Sequence, residues 1–123
     1  MESSANIKSF RDLEVWKLGM EIVVAIFNVT KKFPREEMYG IISQMRRAAV
    51  SVPSNVSEGY NRFSTKEYRQ FLSISLGSCG ELETQVEASC ALNFITEEER
   101  NQMIDKIQHE ARMLRNLIKK LVQ

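Results

Sequence analysis

Apolar residues recur at intervals of three and four along most of the chain, and no stretch alternates with the period of two that a strand needs. Four periodic stretches are separated by three short breaks. That pattern predicts an all-α protein, an up-down-up-down antiparallel four-helix bundle. The first stretch runs from about Asp12 to Lys32 and carries two apolar stripes. Leu13, Trp16, Met20, Val23, Val24 and Phe27 form one; Val15, Leu18, Ile22, Ile26 and Val29 form the other. A helix on the surface of a monomer needs a single stripe. The second is therefore expected to meet another subunit, with Val15, Leu18, Ile22, Ile26 and Val29 as candidate interface residues of a homo-oligomer. Lys31, Lys32, Phe33 and Pro34 end the helix, cations at its negative end and a proline that blocks continuation.

Glu36 and Glu37 open the second helix. Its apolar face begins with Met38, Ile41 and Ile42 and continues through Met45, Ala48, Ala49, Val52 and Val56. Pro53 lacks an N–H and crowds the carbonyl four residues back, but Val56 keeps the period across it. The expectation is one continuous, kinked helix in which Ser51, Ser54 and Ser57 re-satisfy freed backbone groups. Gly59 stops it and Asn61–Phe63 connect onward. Ser64 with Glu67, and later Thr96 with Glu99, have the spacing of capping boxes and open the third and fourth helices. The third carries Tyr68, Leu72, Ser75, Cys79, Leu82, Val86 and Ser89 as a seam of medium and small residues, which predicts close helix approach. Gly77 and Gly80 are costly inside a helix and are expected to lie under a packed neighbour. Asn93 and Phe94 end it. The fourth seam is Ile104, Ile107, Ala111, Leu114, Ile118 and Leu121. Residues 1–8 are polar and expected to fray; residues 9–123 form a single domain.

Composition narrows this picture slightly. Seventeen Lys and Arg face sixteen Asp and Glu, which argues against a binder working through bulk charge but not against local patches. Cys79 and Cys90 lie eleven residues apart on one helix, too distant to pair, and read as small buried hydrophobes. The opening MESSANIKSF has no apolar core region, and no apolar run reaches the length of a membrane span. A cytoplasmic location is expected.

Catalytic chemistry has little to draw on. The only histidine, His109, lies off the seam of the fourth helix. A di-iron bundle would need Glu-x-x-His pairs, and none occurs. Glu58, Glu81, Glu83 and Glu87 are the carboxylates that a metal-dependent hydrolase would use. Charge pairing is the more productive signal. Arg46 and Arg47 fall within about a turn of the level of Glu81 and Glu83 on the antiparallel neighbour, so an Arg–Glu contact is expected there, with Glu58 as a further structural partner. Arg112, Arg115 and Lys119 share one face of the fourth helix, flanked by Lys106 and Lys120. Together with Arg46 and Arg47 they are the candidate contacts to a phosphate backbone. No cofactor is indicated.

Several segments, in order, also resemble a known family. They are SQMRRAAVSVPSNVSEGY at 43–60; Phe10-Arg11-Asp12-Leu13 with Val15-Trp16-Lys17; Phe33-Pro34 with Glu37 and Tyr39-Gly40; and Gly77-Ser78 followed by Glu81-Leu82-Glu83-Thr84. Over about residues 9–122 the chain is similar to the bacterial four helix bundle proteins, also called 23S rRNA intervening-sequence or S23-type proteins. The resemblance implies a homopentameric ring of four-helix bundles. Members are often encoded in insertions within 23S rRNA genes. A related set serves the reverse transcriptases of diversity-generating retroelements and binds nucleic acid through basic surfaces. The expected function is thus a non-enzymatic oligomeric bundle that binds RNA or a ribonucleoprotein. A pure protein–protein assembly module and a carboxylate-based metal hydrolase stand as alternatives.

Overall fold

Ser9 begins the regular structure with a capping box: its side chain accepts from the Arg11 N–H, while Asp12 accepts from the N–H groups of Lys8 and Ser9. Those bonds hold the Asp12 carboxyl below its ordinary range. The computed structural model describes residues 6–122. Residues 1–5 of the expected frayed segment lie outside them, whereas Ile7 already packs against the core. Four helices follow the opening turn Phe10–Asp12: α1 (Glu14–Thr30), α2 (Ser43–Tyr60), α3 (Thr65–Ala91) and α4 (Glu97–Val122). Each packs on its neighbours in sequence, and α4 closes onto α1, so α1 and α3 lie on one diagonal and α2 and α4 on the other. This is the expected antiparallel four-helix bundle.

The ends follow the predicted chemistry with two refinements. Ser64 caps α3 by accepting from the Glu67 N–H, and Thr96 and Glu99 form a reciprocal box at α4. The end of α3 is a Schellman turn. Asn93 takes φ 64°, the Asn93 N–H reaches the Cys90 carbonyl and the Phe94 N–H reaches Ser89. Between α1 and α2 the chain does not begin a regular helix at Glu36. It makes a 3₁₀ turn, Arg35–Glu37, and a wide π turn, Met38–Ile42, before α2 proper.

Packing reverses the roles assigned to the two stripes of α1. Val15, Ile22, Ile26 and Val29, named above as interface candidates, are buried in the core of the single chain, and Leu18 is half-buried against it. Met20 and Val24, from the other stripe, are exposed. The reason is Gly19. A Cβ there would lie 3.2 Å from Pro53 Cβ, so α1 crosses α2 with its glycine against the proline. Positions 15, 22 and 26, one or two turns away from Gly19, must then face inward with it.

Between α2 and α3 the contact is built from small polar residues. Ser75 Oγ donates to the Val52 carbonyl at 2.8 Å, and Ser51 and Ser78 share a hydrogen bond of 2.8 Å. Asn55 Nδ2 donates back to the Ser51 carbonyl at 2.8 Å, and Ser57 Oγ to Ser54 at 2.9 Å. α2 runs unbroken through buried Pro53, as expected, but among the described residues only Ser57 of the three serines bonds a carbonyl of its own helix; the Ser51 hydroxyl is shared with Ser78 of α3 and accepts from Asn55. The glycines divide differently from expectation. Gly59 lies under α3, where a Cβ would come within 2.8 Å of Phe71 Cβ, while Gly77 and Gly80 face open space.

One group in the core has no counterpart in the sequence expectations. Glu110 on α4 is 0% exposed, and among the described residues neither carboxylate oxygen has a hydrogen-bond partner. Its Oε2 lies 3.4 Å from the place a Gly19 Cβ would occupy, beside Pro53. Cys79 of α3 is the titratable group coupled to it; Gly19 and Pro53 bring none from α1 and α2. Burial pushes the Glu110 carboxyl up to about 9 and the Cys79 thiol up to about 12. Both are therefore neutral in the folded protein at neutral pH.

Two predictions follow from these positions. Gly59→Ala should destabilise by about 1–3 kcal/mol through overpacking, whereas Gly77→Ala and Gly80→Ala should each stabilise by about 0.5–1 kcal/mol; urea denaturation reads both. Glu110 sets a pH dependence. The folded state keeps its proton up to about pH 9, while the unfolded chain releases it near the ordinary 4.5. The stabilisation is therefore complete below 4.5 and is lost as pH rises through the folded value. Its slope approaches about 1.4 kcal/mol per pH unit between the two. Glu110→Gln should remove this slope, and a wild-type-minus-variant difference that stays flat across the window would refute the assignment.

Candidate nucleic-acid interface

Charge is sorted along the α3–α4 hairpin. Residues 65–80 and 111–122, which form one end, hold Lys66, Arg69, Arg112, Arg115, Lys119 and Lys120 against the single acid Glu67. Residues 81–110, which form the other end, hold Glu81, Glu83, Glu87, Glu97, Glu98, Glu99 and Asp105 against Arg100 and Lys106, besides the neutral Glu110. The 27 residues of α3 span about 40 Å at 1.5 Å per residue. A Debye length is about 8–10 Å at physiological salt, so the acidic end does not cancel the field at the basic end. A near-neutral total conceals a bipolar face.

Within the basic end, Arg112, Arg115 and Lys119 occur where the sequence places them, exposed along α4. Among the described residues none of the three forms an ion pair. Arg115 lies on the α3 side, close enough to act on the Cys79 thiol. Lys66 and Arg69 join them from α3. Both were absent from the sequence-based candidates, because their proximity to the end of α4 is a consequence of the antiparallel pairing. Arg69 Nη1 donates to the Leu121 carbonyl at 3.1 Å, which fixes its guanidinium between the two helices. Lys106, counted as a flank of the stripe, instead points to α1, where Nζ lies 3.4 Å from Glu21.

Arg46 and Arg47 do not join this surface: they lie early in α2, which runs antiparallel to α3 with Ser51 opposite Ser78, and so sit at the level of the acidic half of α3. Nor do they pair with Glu81 or Glu83. Arg46 turns toward α1, where Nε donates to Thr30 Oγ1 at 3.0 Å and the guanidinium lies 4.7 Å from the Phe27 ring centroid. Thr30 in turn donates to the Ile26 carbonyl at 2.7 Å. Arg46 is a strut between α1 and α2 rather than a free cation. Arg47 is exposed, and among the described residues it has no ion pair. The carboxylates find other partners: Glu58 with Arg62 at 2.7 Å and Glu81 with Gln85 at 3.3 Å on their own helices, and Glu83 with Gln108 of α4 at 3.4 Å. The Arg–Glu expectation matched the levels of the residues along the helices. It failed because helix rotation points Arg46 the other way.

The carboxylates proposed for a metal hydrolase are dispersed in the same manner. Glu87 is engaged by Arg100, whose hydrogen bonds hold its carboxyl below the ordinary range. Among the described residues no three His, Cys, Asp or Glu side chains gather in a way that could hold a metal ion. His109 is exposed, and Cys79 and Cys90 are free thiols. No helix among the described residues is long and apolar enough to cross a membrane.

A second surface lies on α1. Met20 and Val24 are 38% and 57% exposed, with half-buried Trp16, Val23 and Phe27 beside them. On the α4 side, Met20, Val24 and Ala25 line a groove of about 460 Å³ rimmed by Lys17, Glu21 and Lys106. The double stripe of α1 thus leaves an apolar face uncovered in the single chain, although it is the opposite stripe from the one expected.

Known proteins bear on both surfaces only through the fold and the family. A structure of a protein of unknown function from the S23 ribosomal protein family of Bacteroides thetaiotaomicron is similar to this chain with a TM-score of 0.80. The two share 24% sequence identity over 85% of this chain and 98% of that one, a likeness that speaks to the fold. No curated protein sequence matches. The family model described as 23S rRNA-intervening sequence protein matches residues 11–116, which contain the whole bundle core and most of the basic stripe. The chain therefore belongs to the 23S rRNA-intervening sequence protein family.

Proposed function

We propose that this chain is a non-enzymatic, self-associating four-helix bundle that binds RNA through the basic end of its α3–α4 hairpin. The observation that carries this reading is the sorting of charge: six cations against one acid at one end of the hairpin, with Arg112, Arg115 and Lys119 exposed and, among the described residues, free of carboxylate partners. Unpaired exposed cations on a rigid helix present fixed charges to a phosphate backbone, and binding releases the counterions condensed on it. The dispersal of Glu58, Glu81, Glu83 and Glu87 among Arg and Gln partners favours a binding role over hydrolysis. Self-association is supported by the uncovered apolar face of α1 around Met20 and Val24. Several copies would repeat the basic end around the assembly and raise a weak contact through avidity.

Filter binding to structured RNA over a range of salt tests the first part. Log affinity should fall linearly with log salt, and Arg112→Glu/Arg115→Glu/Lys119→Glu should reduce retention by about a hundredfold at low salt. Absence of binding at low salt, or retention insensitive to both salt and charge reversal, leaves an assembly module that contacts protein alone. Light scattering tests the second part. The wild type should weigh a multiple of 14.2 kDa, and Val24→Glu should lower that mass while leaving the helical signal intact. A wild-type particle of one chain at micromolar concentration would overturn it.

A further inference from the structure

The basic end contains an apolar slot that phosphate contacts alone do not explain. Lys66, Arg69, Gln70, Ser73 and Ile74 of α3 and Ile118 of α4 line a groove of about 580 Å³ between the two helices. Ile74, one of these lining residues, is 52% exposed within the cationic end of the hairpin. Arg115 and Lys119 flank Ile118 on α4, and Arg69 is held in place by its bond to the Leu121 carbonyl. The residues that form this end, 65–80 and 111–122, include no acid other than Glu67, whose carboxylate faces Arg62 at 3.7 Å.

A duplex offers this groove little. A-form RNA presents phosphates and 2′-hydroxyls along its outside, with its bases stacked and paired inside, so it would meet the cations and leave the isoleucines in water. An unpaired nucleotide has what both kinds of lining residue require: phosphates for the cations and an exposed base face to cover the isoleucines. Gln70 and Ser73 add a side-chain amide and a hydroxyl at the edge of the slot, able to donate to or accept from a base edge. We infer that the α3–α4 groove receives an unpaired nucleotide of single-stranded or looped RNA, its base against Ile74 and Ile118 and its phosphates on Lys66 and Arg69, an assignment that rests on the RNA-binding function proposed above. Bases stack against protein here without an aromatic platform, so the gain per nucleotide lies at the low end of what stacking sites achieve.

Fluorescence anisotropy with two labelled RNAs of equal length, one unstructured and one a fully paired duplex, tests the assignment at low salt. The wild type should prefer the unstructured RNA. Ile74→Ser should weaken that binding by about fivefold and leave duplex binding unchanged, whereas Lys66→Glu should weaken both. Ile74 is exposed, so its replacement should leave the thermal midpoint and the assembly mass as they are. Equal or tighter binding of the duplex by the wild type, an Ile74→Ser variant that behaves as wild type, or one with an altered assembly mass would overturn the groove assignment. In each of those cases salt-dependent binding lost on reversal of Arg112, Arg115 and Lys119 would keep the broader RNA function. Failure of the wild type to bind either RNA would remove both.

Discussion

The contact of Gly19 with Pro53 orients the first helix, and much else depends on it. A glycine lets the α1 backbone approach the proline ring closely, with 3.2 Å left to a Cβ that is not there. A methyl there would need its neighbours to give by a few tenths of an ångström, and a longer side chain would push the helices apart or rotate α1 about its axis. With the rotation set, Val15, Ile22, Ile26 and Val29 fill the core, and Met20 and Val24 are left facing water. The exposed apolar face of α1, and with it the case for self-association, is thus a consequence of one close crossing.

Pro53 also shapes its surroundings. It cannot donate to the Ala49 carbonyl, so α2 lacks one helical hydrogen bond in its buried middle. Polar groups gather near it: Ser75 donating to Val52, Ser51 shared with Ser78, and the Glu110 carboxyl from α4. A buried carboxylate would be very costly in this setting, and the raised proton affinity of Glu110 is how the core avoids that charge. The core is held by hydrophobic packing, with Ile26, Met45, Leu72, Leu82 and Leu114 fully buried, but the α2–α3 contact and the level of Pro53 depend on specific polar groups.

At the surface the governing constraint is screening. Sequence-wide charge is nearly balanced, but screening breaks the hairpin into regions that do not sense one another. The acidic end is occupied with structural partners, as in Glu87 with Arg100 and Glu99 with Lys32. Among the described residues, the basic end retains exposed cations without such partners. Antiparallel pairing makes the difference: it brings the start of α3, with Lys66 and Arg69, beside the end of α4, with Arg115 and Lys119.

The fold was legible in the sequence because it depends on local regularities. Periodicity marked four helices. The Ser64–Glu67 and Thr96–Glu99 spacings marked two starts, and Asn93 marked a stop; each acts within a few residues of chain. The exposed face of Arg112, Arg115 and Lys119 was legible for the same reason. Glu110 was nearly so, since it falls between Ile107 and Leu114 in the apolar period, but its charge argues for the surface until the packing is known. The sequence pointed the wrong way on which stripe of α1 faces inward, where Arg46 points and whether Gly77 lies under a neighbour. These depend on the rotation of each helix about its axis, which is set by contacts such as Gly19 with Pro53 between residues far apart in the chain. Sequence alone determined the helices, their order and their caps; the tertiary structure decided their faces, because a periodic pattern defines stripes while only close packing selects the one that loses its water.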